Sequence, residues 1–294
     1  MRILVTGAEG FIGSHLSPFL EAEGHEVIGS DKADRDLALP GEAESLIEGA
    51  APHYVIHLAA RYGRLLCRDQ PHRAVADNAA ATTELAAACA ARATPVLYAS
   101  SSEVYGDHGT DMIREDSELR TPTTIYGLSK RWGEEVLRLY LPPEHLTIVR
   151  LNMLFGPGQR AGYGCCALAT FIRDAMEGRQ LNVHREASRS WLYITDAIRA
   201  LEQLIGRPGV WNVANAHERR SMVDTAELVC EEVGASKESI DYVTAPPGQI
   251  RHKLYSTAKI EQLGWHPEVG LEEGVRLTVD AARRDGLRDY ALAI

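Results

Sequence analysis

The run Thr6-Gly7-Ala8-Glu9-Gly10-Phe11-Ile12-Gly13 decides how the rest of the chain is read. It follows the apolar stretch Ile3-Leu4-Val5, which has the composition of a buried strand. It opens a helical pattern over about residues 12–23, which Gly24 ends. The glycines are spaced G-x-x-G-x-x-G. In a strand-loop-helix turn, Gly7 permits the tight bend, Gly10 lets a diphosphate approach the main chain, and Gly13 lets helix and strand pack closely. The helix start adds N–H groups and partial positive charge. Glycines alone would equally fit a packed turn. The next strand separates the two readings: Glu26-Val27-Ile28-Gly29 runs out at Asp31, about 20 residues on. The pattern predicts a dinucleotide site lined by Gly7, Gly10, Phe11, Ile12 and Gly13. Asp31 would accept hydrogen bonds from the adenosine ribose and repel a 2′-phosphate, which points to NAD rather than NADP. Lys32 and Arg35 are the nearby cations that could pair with such a phosphate.

Outward from this turn, strand-like and helix-like segments alternate. Helices are expected over residues 43–49, 78–92 and 126–140, and strands over 54–58, 95–99 and 146–151. The strands are apolar on both faces, so the rhythm predicts an α/β fold: a doubly wound parallel sheet of the Rossmann type. Past Pro157 the pattern loosens. A loop over 160–164, a helix over 167–177, a strand end and helix over 192–205, a Pro246-Pro247-Gly248 loop and helices over 221–233 and 271–284 suggest a smaller C-terminal substrate-binding lobe over the carboxyl edge of the sheet. The expected division is a dinucleotide-binding domain over 1–157 with a return segment at about 190–215, and a lobe made from 158–189 and 216–294.

A chain of 294 residues has room for two domains or one with an appended lobe. Its 31 Lys and Arg against 41 Asp and Glu give a net charge of -10, which argues against nucleic acid or an anionic membrane surface as partner. It leaves room for an anionic small molecule in a local basic pocket. The sequence contains no apolar run long enough to span a bilayer and no secretion signal. Five cysteines (Cys67, Cys89, Cys165, Cys166, Cys230) form no C-x-x-C pair, and the odd count fits a reducing cytoplasm. No metal-ligand cluster is visible. His53 and His57 share a face of a predicted strand and read as satisfied core residues.

Two segments carry chemistry. Tyr126-Gly127-Leu128-Ser129-Lys130 sets a phenol and an ammonium four residues apart on one helix face. An ammonium and a bound nicotinamide cation would stabilise the phenolate and lower the tyrosine pKa, so that Tyr126 could exchange a proton with a substrate hydroxyl. Such a spacing is common on solvated helices, and its weight comes from the second segment. Ala99-Ser100-Ser101-Ser102-Glu103-Val104-Tyr105-Gly106 ends a predicted central strand, where open parallel sheets bind ligands.

These residues resemble the extended short-chain dehydrogenase/reductases, in particular the NAD-dependent epimerase/dehydratase family acting on nucleotide sugars. The likeness is carried by Thr6–Gly13, His57-Leu58-Ala59-Ala60, Ser100-Ser101-Ser102 with Val104-Tyr105-Gly106, and Tyr126 with Lys130. It continues through Phe155-Gly156-Pro157-Gly158-Gln159, residues 189–196, residues 212–215 and Leu263-Gly264-Trp265. The resemblance implies that Ser101, Tyr126, Lys130 and Glu103 are catalytic, with Lys130 also holding the nicotinamide ribose. It implies that Leu58, Ala59 and Ala60 pass beneath the cofactor, that Asp36 and Leu37 edge the adenine, and that Asn78 and Ser100 lie on the cofactor side. Ser102, Asn152, Arg189 and Arg251 are implied substrate residues, the arginines suiting a diphosphate. Asp196 reads as a residue that begins a helix.

Departures from the family pattern bear on the reaction. Met153 stands where the family has Asn, with Asn152 shifted by one, and His184-Arg185-Glu186-Ala187 replaces its usual Tyr-Gly-Asp-Gly turn. Ser102 stands where family dehydratases carry Asp, which argues against dehydration. Ser101, Glu103 and Arg189 match the set of UDP-glucuronate-type decarboxylases. The short stretch from Asp31 to Tyr54 is similar to 4-keto-sugar reductases. The expectation is a NAD-dependent nucleotide-sugar 4-epimerase, with an NAD(P)H-dependent 4-keto-sugar reductase and a decarboxylase as alternatives. The family likeness also implies a homodimer built on the helices over 78–92 and 126–140.

Overall fold

The computed structural model describes residues 1–244, 250 and 252–286. In chain order its elements begin β1 (Arg2–Thr6), α1 (Gly13–Ala22), β2 (Glu26–Ser30), α2 (Glu42–Ala50), β3 (Tyr54–His57), α3 (Arg64–Asp69) and α4 (Pro71–Ala74). A π-helical turn, Val75–Ala80, leads into α5 (Ala81–Ala91) and β4 (Val96–Ser101). A 3-10 turn, Ser102–Tyr105, precedes α6 (Ile125–Tyr140), β5 (Leu146–Leu151), β6 (Leu154–Phe155), α7 (Ala167–Met176), β7 (Leu181–His184), β8 (Ser188–Ser190) and β9 (Leu192–Tyr193). Then come α8 (Ile194–Gln203), β10 (Gly209–Val213), β11 (Arg219–Ser221), α9 (Met222–Val233), β12 (Ile240–Val243), α10 (Ala258–Glu261) and α11 (Leu271–Asp285).

Two compact units emerge. The first comprises Met1–Gly106, Glu115–Leu151 and Ile198–Val213. It holds a six-stranded sheet in the order β10-β5-β4-β3-β1-β2, with every pairing parallel. Every residue of β3, β4 and β5 is buried, as strands covered on both faces must be. Ile47 of α2, Leu85 of α5 and Leu137 of α6 pack against Leu4, Val55, Val96 and Ile148 of the sheet. The doubly wound parallel sheet expected from the alternation is present.

The second, smaller unit comprises Asp107–Arg114, Asn152–Ala197 and the chain from Ala214. Backbone pairing explains its odd composition. Ile113 donates to the Leu254 carbonyl and accepts from Ser256, which ties 107–114 to residues far along the chain. β6 pairs with β9, β7 with β12, and β8 with β11. These strands are two to four residues long, too short to leave an alternation in sequence. Pro246-Pro247-Gly248 lies outside the described residues. Among the described residues, no helix is long and apolar enough to cross a membrane, and no three His, Cys, Asp or Glu side chains gather as metal ligands.

Candidate active site

β1 has β2 on one side and β3 on the other, so the chain reverses its progress across the sheet there. Open parallel sheets take ligands at the carboxyl ends of strands flanking such a reversal. The glycine-rich loop sits at this point. Gly7 has φ +75°, and a Cβ on it would come within 2.8 Å of the Ala59 amide nitrogen. A Cβ on Gly10 would meet the Gly7 carbonyl at 3.0 Å, and one on Gly13 would overlap it. No side chain caps α1, whose start is bare backbone beside Phe11 and Ile12. This arrangement fits a dinucleotide diphosphate. Leu58 donates to the Thr6 carbonyl at 3.0 Å, and Ala59 to Thr6 Oγ1 at 3.4 Å. These bonds hold residues 58–60 against the loop.

Asp31 follows β2 directly. Its Oδ2 accepts the Glu9 N–H at 2.7 Å, while burial pushes its pKa up. Asp36 accepts the Ala38 N–H at 3.1 Å. Leu37 turns its side chain into the core, leaving only its backbone for a ligand. The cations beyond Asp31 are engaged: Lys32 Nζ meets Asp77 Oδ1 at 2.5 Å and Asp36 Oδ2 at 3.2 Å, and Arg35 meets Glu42 at 3.1 Å. Asn78 lies in the π-helical turn, where its Oδ1 accepts the Arg61 N–H at 2.7 Å. Its Nδ2 donates to the Arg61 carbonyl and to Ser129 Oγ, both at 2.9 Å. The expected α-helix over 78–92 thus begins in a wider turn, a feature that often marks functional positions.

Ser101 ends β4, with its hydroxyl close enough to Tyr126 on α6 to pull the phenol pKa down. Its hydroxyl also accepts the Glu103 N–H at 3.2 Å. Thr124 caps α6 by accepting the Gly127 N–H at 3.0 Å, and it donates to Glu103 Oε2 at 3.3 Å. Glu103 is therefore anchored to the start of the helix that carries Tyr126. One turn on, Lys130 donates to the Ala99 carbonyl at 2.9 Å and lies 4.9 Å from the Tyr98 ring centre. The expected lowering of the Tyr126 pKa is not met by this chain's own residues. Burial pushes it up, the Ser101 hydroxyl pulls it down, and Glu103 adds to the rise. The counterpart is Lys130, which burial holds down at about 8.

Ser100 turns its side chain into the core, leaving its backbone for the cofactor side. Its hydroxyl donates to Glu134 Oε1 at 2.6 Å, because successive residues of a strand face opposite ways. Glu134, at the third position of the series Tyr126-Lys130-Glu134 on α6, also receives Arg150 through both oxygens at 2.9 and 2.7 Å. Arg150 stacks 4.5 Å from the Tyr105 ring centre, and Tyr105 donates to Asn212 Oδ1 at 2.7 Å. Sequence reading missed Glu134 and Arg150. The four-residue spacing could have pointed to Glu134. It also missed Cys67, buried close enough to act electrostatically on both Tyr126 and Lys130. Of the two histidines expected in the core, His53 is exposed just before β3, and His57 is the satisfied one: its nitrogens bond Thr6 and Thr82 at 2.7 and 3.0 Å, and burial drives its pKa to about 3.

Ser102 is buried at the head of the 3-10 turn. In the second unit, Asn152 is buried and donates to the Ser190 carbonyl at 3.4 Å. Arg189 is buried and donates to the Ser188 and Ile250 carbonyls at 2.7 and 2.9 Å. Arg251 lies outside the described residues. Asp196 stands in the first turn of α8 and accepts the Val269 N–H at 3.0 Å. Met153 holds φ +45°, a left-handed conformation that asparagine adopts more readily.

Residues 3–214 match the model of the NAD dependent epimerase/dehydratase family. The chain is 30% identical to a dTDP-4-dehydrorhamnose reductase of Mycolicibacterium smegmatis, over 85% of this chain and 74% of that one. It is 28% identical to UDP-glucuronic acid decarboxylase 1 of Xenopus tropicalis, over 97% and 72%. Its structure matches the UDP-glucose 4-epimerase of Thermus thermophilus, solved in complex with NAD, with a TM-score of 0.88 and 26% identity, covering 97% of this chain and 100% of that one.

Proposed function

The chain belongs to the NAD dependent epimerase/dehydratase family, and we propose that within it this protein is an NAD-dependent nucleotide-sugar epimerase. It would oxidise the sugar 4-hydroxyl to a transient 4-keto sugar and reduce that ketone from the opposite face. The observation that carries the reading is the placing of Ser101, at the end of the central strand, beside Tyr126, with Lys130 one helical turn away and bonded to the Ala99 carbonyl. Tyr126 takes the 4-hydroxyl proton, Ser101 shares it, and Tyr126 returns it in the reverse step. Glu103, tethered to Thr124, orients the Ser101 turn.

NAD would be held by Gly7, Gly10, Phe11, Ile12 and Gly13 at its diphosphate, by Asp31 with the backbone of Asp36 and Leu37 at its adenosine, and by Leu58–Ala60, Asn78 and Lys130 along its length. When bound, it supplies the hydride acceptor and donor. That the Thermus relative was solved with NAD supports this choice. Ser102, Asn152, Arg189 and Arg251 are the proposed contacts to the nucleotide diphosphate sugar. The exposed apolar stripe Leu128, Trp132 and Leu139 on α6 supports a homodimer closed through that helix.

A second reading has its own observation. The Glu103 carboxylate is buried close enough to Tyr126 to raise its pKa, and such a Ser-Glu pair would suit decarboxylation of a uronic acid. The test is product mass and retention time after incubating the protein and NAD with a panel of nucleotide sugars and nucleotide uronic acids. An isomer of unchanged mass is expected. Loss of carbon dioxide would replace the epimerase with the decarboxylase. Turnover only of a 4-keto sugar, with net consumption of reduced cofactor, would replace it with the reductase.

A further inference from the structure

We propose that Asp77 is a cofactor-specificity residue, which acts by holding Lys32 and so withholding from a 2′-phosphate the cation next to Asp31. The inference rests on the dinucleotide reading of the glycine-rich site. In such sites, a cation beside the acid that ends β2 is what accommodates a 2′-phosphate. Two cations stand there in this chain, and both are tied to carboxylates. Arg35 is held locally by Glu42 at 3.1 Å. Lys32 is held by Asp36, four residues on, and by Asp77, which arrives from the π-helical turn after β3.

Asp77 is not a loose surface partner. Its side chain is only 10% exposed, and its second oxygen is bound by Arg61 Nε at 2.8 Å. Arg61 is fixed in turn by the paired main-chain bonds to Asn78 and by Gln70 at 3.3 Å. The carboxylate that meets Lys32 is therefore set in place from behind. An exposed ion pair alone contributes little, but a preplaced acid in a network costs Lys32 no further ordering of its partner. Two carboxylates (Asp36, Asp77) meet two cations (Lys32, Arg61), and a third, Asp31, is bound at the Glu9 N–H. An added phosphate dianion would have to displace one acid while facing another.

The test measures the binding of NAD and NADP to the purified protein by calorimetry. Asp77→Asn keeps the shape and removes the charge. We expect NADP affinity relative to NAD to rise about tenfold, with the gain shrinking at high salt. Asp77→Asn combined with Lys32→Ala should lose that gain. Lys32→Ala alone, at a position 57% exposed, should leave the NAD-to-NADP ratio of the unaltered protein unchanged, because Lys32 is already withheld. An unchanged ratio in Asp77→Asn, a gain that survives removal of Lys32, or a loss of NADP binding in Lys32→Ala alone would each overturn the inference. Failure of the unaltered protein to bind either dinucleotide would instead overturn the functional reading, and the specificity inference with it.

Discussion

The inward and outward faces of α6 each depart from the usual helix chemistry, in which an apolar stripe is buried and a polar one meets water. Inward, beside Val136 and Leu137, lie Ser129, Lys130 and Glu134, all buried. Outward lie Leu128, Trp132 and Leu139, the last 84% exposed. The inner polar groups are tolerated because each has a partner: Ser129 bonds Asn78, Lys130 bonds Ala99, and Glu134 bonds Ser100 and Arg150. On the outer surface Trp132 Nε1 donates to Thr83 Oγ1 at 3.3 Å, while Leu128 and Leu139 stand exposed. One helix thus serves two tasks. Its inner face positions a phenol and an ammonium, and its outer face is free to meet another surface.

The largest expected effect lies on the inner face. Tyr126→Phe removes only the hydroxyl beside Ser101, so turnover should fall by roughly a thousandfold or more, within the range that general acid–base groups supply. Dinucleotide affinity should change less than threefold, a split that steady-state rates and calorimetry would read directly. Unchanged turnover would break the comparison at its root, because the buried polar face would then have no chemical task.

Next comes Glu134. It is fully buried, and it neutralises Arg150, itself 2% exposed. Arg150 and the Ser100 hydroxyl hold its pKa down against the opposing effect of burial. Glu134→Gln leaves the guanidinium uncompensated in the core, and it should cost about 3–5 kcal/mol in denaturant unfolding. A loss under 1 kcal/mol would mean that the inner face is not held by this pair.

How far these faces were legible in sequence differs by residue. The glycine spacing and the Tyr126–Lys130 interval are local signals, and the parallel sheet followed from apolar strands of buried composition. The partners were not legible. Glu134 meets Ser100 from another element 34 positions away, and Asp77 meets Lys32 across 45, so no local pattern announces either contact. β10 escaped notice because Gly209-Val210-Trp211-Asn212-Val213 opens on a glycine and owes its strand to pairing with β5. The two- and three-residue strands of the second unit are likewise products of tertiary pairing.

Lys130 sharpens the comparison through pH. Its pKa is held at about 8 by burial, against an ordinary 10.5 in the unfolded chain. Below pH 8 both states carry the charge, and the cost of burying it is felt in full. Between pH 8 and 10.5 the unfolded chain keeps a proton that the folded chain has released, so Lys130 by itself contributes a rise in stability with pH of roughly 3 kcal/mol. Tyr126 opposes this above pH 10, since its folded phenol stays protonated while the unfolded one ionises. The buried thiols of Cys67, Cys89, Cys166 and Cys230, which burial pushes up from an ordinary 9, oppose it from about pH 9, so the clean window is pH 8 to 9. Lys130→Met should flatten the rise there in paired urea titrations, and a parallel pair of curves would count against the burial cost.

The smallest effect on folding should come from the outer face, and it tests the other half of the comparison. Leu139 is exposed at the last turn of α6, and Leu128 is 58% exposed near its start. Leu128→Lys and Leu139→Lys remove no buried contact of the single chain. Each should change the unfolding free energy of the dilute protein by no more than about 0.5 kcal/mol. If the stripe closes a homodimer, the same changes place ammonium groups in its seam, and sedimentation should report a shift from dimer to monomer at micromolar concentration. A dimer that survives both lysines would move the interface elsewhere. A protein already monomeric without them would leave the stripe as ordinary exposed apolar surface, and α6 would then have one specialised face rather than two.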